Sequence, residues 1–122
     1  MKLIGSKQEQ EFRKILVNYL TQGDQDDPLF KVLKSTFSEI KTAYILNWTP
    51  EQEADIYTIL VDMDKVAIVE ISRINCLEAP TIQTFSLKHY KKRLSKVFQI
   101  KLAVAIDLAE RDIENSSTFI EP

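Results

Sequence analysis

A chain of 122 residues, 44% apolar and 28% charged, carries enough Ile, Leu, Val and Phe to bury one core and too few residues to divide into two, which excludes a disordered chain and an internal linker. Its net charge of −2 conceals an asymmetry: between Ala79 and Ile106 stand Lys88, Lys91, Lys92, Arg93, Lys96 and Lys101 with no acidic residue, while the remainder carries 10 basic against 18 acidic residues. An acidic body argues against general nucleic-acid binding and favours a basic protein partner, and the basic stretch keeps a nucleic-acid alternative in play.

The first helix is signalled by Ser6 and Glu9, a capping box, followed by Phe12, Ile15, Leu16, Tyr19 and Leu20 at helical spacing as far as Gly23, which predicts a helix over about 7–22. After Asp24-Gln25-Asp26-Asp27, Asp27 and Pro28 form a standard helix start, and Leu29, Val32, Leu33, Phe37 and Ile40 make its apolar stripe. The short link predicts that these two helices pack as an antiparallel pair.

Ala43 to Trp48 has the aromatic and β-branched content of a strand, and Thr49-Pro50 ends it. Two alternating apolar runs, Ile56 to Val61 and Val66 to Ile71, joined by Asp62-Met63-Asp64-Lys65, predict a hairpin over about 55–62 and 65–73. On its first strand Tyr57, Ile59 and Val61 share one face and Ile56, Thr58 and Leu60 the other, so both faces need cover. The segment 81–85 is a candidate fourth strand. From Ser86 the pattern returns to helix: Leu87, Tyr90 and Leu94 mark a short basic one, and Ser95 caps a longer one in which Phe98, Leu102, Ala105, Ile106, Ala109 and Ile113 recur. Its alanines permit close approach, so it should lie across the sheet as the most buried helix. The predicted architecture is a single α+β domain over 1–122. A small antiparallel sheet of three strands, or four with 81–85, is flanked by an N-terminal helix pair and C-terminal helices, with 116–122 a flexible tail.

Met1 to Gly5 is too short for the apolar core of a signal peptide, and no run approaches the roughly 18 apolar residues of a membrane span, so a cytoplasmic protein without membrane contact is expected. One cysteine, Cys76, and one histidine, His89, exclude an intramolecular disulfide and a Cys/His zinc site. No metal or other cofactor is expected.

No catalytic constellation assembles in the sequence. Asp24, Asp26 and Asp27 resemble a calcium loop, but the glycine and glutamate that loop requires are Leu29 and Ser35. Gly5 and Gly23 do not follow a strand and open a helix, which excludes the Rossmann and P-loop cradles. His89 stands among lysines with no titrating partner nearby, and Cys76 reads as an inert loop cysteine. Asp62, Asp64 and Glu70-Ile71-Ser72 resemble the acidic motif of metal-dependent nucleases, yet Ser72 replaces the lysine that would help activate water. The two aspartates are better explained as turn residues.

Two surfaces suit binding. Trp48 is followed by Glu51, Glu53 and Asp55, an aromatic anchor beside steering charge for a basic partner, although a core tryptophan beside a solvated turn has the same pattern. Lys88, Lys91, Lys92 and Lys96 are partly spaced at three and four, either a solvated helix face or an RNA or phosphate contact.

The run Asp55 to Val61, the strand end Ile71-Ser72-Arg73, and Leu94-Ser95-Lys96 leading into Gln99 to Ala105 resemble bacterial immunity proteins of contact-dependent growth-inhibition systems, over roughly the C-terminal two-thirds of the chain. The resemblance implies a non-enzymatic cytoplasmic antitoxin that binds the C-terminal toxin domain of its cognate effector, usually a nuclease, and blocks its active site or substrate access. A nuclease must present a basic cleft, so Trp48, Glu51, Glu53, Asp55, Asp62 and Asp64 are the expected contact set. The alternative is a small RNA-binding or regulatory module using Lys88, Lys91, Lys92 and Lys96.

Overall fold

The computed structural model describes residues 3–75, 77–92 and 94–119, the last four as backbone only; Cys76 and Arg93 lie outside the described residues. The elements run α1 (Lys7–Ile15), α2 (Tyr19–Gln22), α3 (Pro28–Thr36), β1 (Ala43–Pro50), β2 (Ala54–Val61), β3 (Lys65–Ser72), β4 (Thr81–Ser86), α4 (Leu87–Lys91) and α5 (Lys96–Phe119). The strands form one antiparallel meander in the order β1-β2-β3-β4, an α+β fold in which the fourth candidate strand is present.

Alternation along the strands divides the core in two. On one face Tyr44, Leu46, Leu60 and Val66 meet Leu102, Val104, Ala105 and Ala109 of α5 and Leu16, with Phe12 of α1 packed alongside. On the other, Ala43, Ile59, Val61, Ala67 and Val69 meet Leu29 and Leu33 of α3 and Ile40. β2 is therefore covered on both sides, as its two apolar faces require. α5 lies across the sheet, and the Tyr44 hydroxyl donates to Asp112 to tie this helix to β1. Burial and this bond hold the Tyr44 hydroxyl protonated well above the usual phenol range. Arg13 Nη1 stands 2.8 Å from Asp107 Oδ2, an ion pair joining α1 to α5, although the two are not aligned as a hydrogen bond.

The N-terminal region departs from expectation in two ways. The helix predicted over 7–22 is interrupted: Leu16 and Asn18 are extended, and a short second helix starts at Tyr19. Asn18 is the cause. Its Oδ1 accepts from Leu20 N, capping α2, and from Ala43 N at the start of β1, both at 3.1 Å and the second buried. A continuous helix would forfeit that bond to the sheet. The break also sends the chain from one face to the other, so α1 and α3 sit against opposite faces rather than packing as an antiparallel pair.

The local signals elsewhere hold. Ser6 Oγ accepts from Glu9 N, while Glu9 Oε1 and Oε2 accept from the backbone of Gly5 and Ile4, so the capping box reaches up to two residues further back than the motif requires. Asp27 caps α3 through Leu29 N, and Ser95 Oγ accepts from Phe98 N at the head of α5. α5 continues past Asn115 to Phe119, and residues 120–122 of the expected tail lie outside the described residues.

Candidate functional site

β1 carries an extra residue at Leu46, where Ile45 pairs with Ile59 but Asn47 pairs with Thr58. This bulge resets the alternation and brings Trp48 opposite Tyr57, on the face that α3 covers further along. The register thus keeps Trp48 out of the core; it is 55% exposed. Its ring stacks on Tyr57 with centroids 6.4 Å apart and planes 12° from parallel, and its Nε1 donates to Asp55 Oδ1 at 3.0 Å. The same oxygen lies 3.3 Å from Arg73 Nε, and an Arg73 Nη2 donates to the Ala54 carbonyl at 3.2 Å. Burial, with the Asp55 carboxylate second, raises the Tyr57 hydroxyl above the ordinary phenol value, so the ring under Trp48 stays neutral.

Glu51 and Glu53 occupy the exposed β1–β2 connection beside this cluster. The connection is held through its backbone: Glu51 N donates to Ala54 O, and Arg73 N donates to Glu53 O, each at 2.8 Å. Both carboxylates therefore stand on a fixed frame. The same end of the sheet exposes Ile74 and Leu77 and has a depression of about 300 Å³ lined by Glu53, Glu70, Ile74 and Glu78 among others.

Of the expected contact set, the structure brings together Trp48, Glu51, Glu53 and Asp55 and sets Asp62 and Asp64 apart. Asp55 and Asp62 are seven residues apart, near opposite ends of β2, about 23 Å along an extended strand. Asp62 serves the turn: at φ 54° its Oδ1 accepts from Lys41 N and Thr42 N, each at 2.9 Å. Asp64 pairs with Lys65, and its carbonyl accepts from Leu87 N. Glu70 lies near the other end of β3, opposite Ile56, so the nuclease-like acidic set does not converge. Tyr57 and Arg73, which support Trp48 and Asp55, escaped sequence reasoning; only a correct β1–β2–β3 register reveals them.

Lys88, Lys91, Lys92 and Lys96 are all exposed, the first two on α4, Lys92 at its C-cap and Lys96 at the start of α5. His89 stacks on Phe85 of β4, centroids 5.8 Å apart and planes 7° from parallel. A hollow of about 450 Å³ between α4 and α5 includes Lys91, Gln99, Asp107 and Glu110, and its Asp107 is already engaged by Arg13. Lys101 lies over the Phe12 ring at 5.9 Å, and burial lowers its pKa.

No protein-family model, curated protein or solved structure matches this chain. Among the described residues no helix is long and apolar enough to cross a membrane.

Proposed function

We propose that this chain is a non-enzymatic immunity protein that acts in the cytoplasm by binding a basic toxin domain, a nuclease, and obstructing its active site or the path of its substrate. The observation that carries the reading is the Trp48 platform. A large aromatic side chain is held in the open by stacking and a hydrogen bond, with Glu51 and Glu53 beside it on a braced loop. Such an anchor loses little freedom on binding, and carboxylates around it speed encounter with a positive cleft. The contact set narrows to Trp48, Glu51, Glu53 and Asp55, with Asp55 positioning Trp48. The test uses the purified chain as bait in host extract, followed by expression of the recovered domain alone and together with the chain. Growth arrest relieved by the wild-type chain and not by Trp48→Ala supports the reading; a captured domain without toxicity, or relief untouched by the substitution, rejects it.

A second reading has its own observation, the exposed lysines of α4 beside the His89–Phe85 stack. Cations beside an aromatic surface suit single-stranded RNA. Salt-sensitive RNA binding abolished by Lys88→Glu and Lys92→Glu would carry it, and flat titrations would end it.

A further inference from the structure

The two edges of the sheet are not equivalent. β1 is blunted by the bulge at Leu46 and by Pro50, and the Ala43 N–H is taken by Asn18. β4, by contrast, runs Thr81-Ile82-Gln83-Thr84-Phe85-Ser86 with no charge, no proline and a regular register against β3. Its outward groups follow from one bond. Leu87 N donates to Asp64 O at 3.2 Å, one step beyond the Lys65–Ser86 pair, which makes that pair a non-hydrogen-bonded one. Alternation then turns Thr81, Gln83 and Phe85 to β3 and leaves the N–H and C=O groups of Ile82 and Thr84 pointing away from the sheet.

We infer that β4 is the contact through which two copies of this chain associate, pairing antiparallel about a two-fold axis at Gln83 to give an eight-stranded sheet. In this register Ile82 stands opposite Thr84 of the second copy and Thr84 opposite Ile82, so these two residues of each copy exchange bonds with the other. Ser86 meets Pro80, which has no N–H, and the ladder ends there.

Charge selects a second copy as the occupant. The chain enters β4 past Glu78, with Glu70 of β3 beside Thr81, and leaves it into α4 with Lys88, Lys91 and Lys92. α4 packs through Leu87 and Tyr90 on the sheet face that also carries Glu70. Antiparallel self-pairing lays the basic end of each copy along the acidic end of the other, twice, with no like charges facing in the strand itself. The edge alone buries less than a standard interface, so the dimer is concentration-dependent and weakened by salt. The inference does not rest on the toxin reading.

Sedimentation velocity of the full chain across a concentration series, at low and high salt, tests it. The wild type should pass from monomer to dimer, with weaker association at high salt. Thr84→Pro deletes only an outward N–H and should raise the dissociation constant about tenfold or more without lowering the melting temperature. Gln83→Lys and Gln83→Glu each place like charges opposite one another and should stay monomeric alone, while their mixture dimerises. A wild type that stays monomeric at chain concentrations on the order of 1 mM, including one whose edge pairs only with a foreign strand, overturns the inference. So does a dimer indifferent to Thr84→Pro and to both Gln83 variants.

Discussion

Replacing Asp62 distinguishes a turn residue from a contact residue, and the structure sets the size of each effect. Its Oδ1 accepts two backbone N–H groups at 2.9 Å, from Lys41 and Thr42, in a backbone conformation at φ 54°. Alanine removes both bonds, about 0.5–1.5 kcal/mol each, with the exposed Lys41 N–H at the low end because water replaces its partner. It also places a Cβ-bearing residue without a local hydrogen bond in the left-handed region, about 1 kcal/mol more. Asp62→Ala should therefore cost about 2–3 kcal/mol. Asparagine keeps an oxygen where both bonds converge and tolerates the same φ, so Asp62→Asn should cost less than about 1 kcal/mol. Glycine relieves the strain but not the lost bonds and should fall between. Urea unfolding followed by the fluorescence of Trp48, the only tryptophan and near the other end of the sheet, reads all three; the alanine midpoint should drop by on the order of 1 M. Equal costs for alanine and asparagine, or an alanine cost below about 0.5 kcal/mol, would refute the reasoning.

Asn18→Ala should destabilise by about 2–4 kcal/mol in the same assay, because it strands the buried Ala43 N–H as well as uncapping α2. Thr42 Oγ1 is buried without a hydrogen-bond partner among the described residues, so Thr42→Val should be neutral or stabilising by up to about 1 kcal/mol. The backbone N–H of Ile4, with those of Gly5 and Ser6, holds the Glu9 carboxyl below its ordinary value despite the opposing effect of burial. A depressed folded-state pKa adds stability that is fully present above the unfolded value, about 4.3, and fades as pH falls through the folded one. Glu9→Gln should accordingly flatten the acid limb of a thermal-melt series below that pH and leave its slope above pH 6 unchanged.

Much of the fold was legible because its determinants are local. Period-two runs placed β2 and β3, Asp27-Pro28 opened α3, and Ser6 with Glu9 and Ser95 with Phe98 started α1 and α5 as caps do anywhere. What escaped was decided at long range. Nothing near Asn18 in sequence announces that its oxygen is shared with Ala43, and the apolar spacing of Leu16, Tyr19 and Leu20 suits a continuous helix as well as a broken one. The bulge at Leu46 is equally silent, yet it carries Trp48 to Tyr57. The separation of Asp55 from Asp62 was readable in principle, since seven residues of strand span most of the sheet; grouping both into one contact set overlooked that length.

The association rate between this chain and the toxin domain proposed as its partner, measured across ionic strength for the wild type and for Glu51→Lys/Glu53→Lys with Asp55 left intact, tests the Trp48 surface most directly. The account predicts a rate lowered about tenfold or more at low salt, converging with the wild type as salt screens the charges. Identical rates for the two proteins at every ionic strength would contradict it.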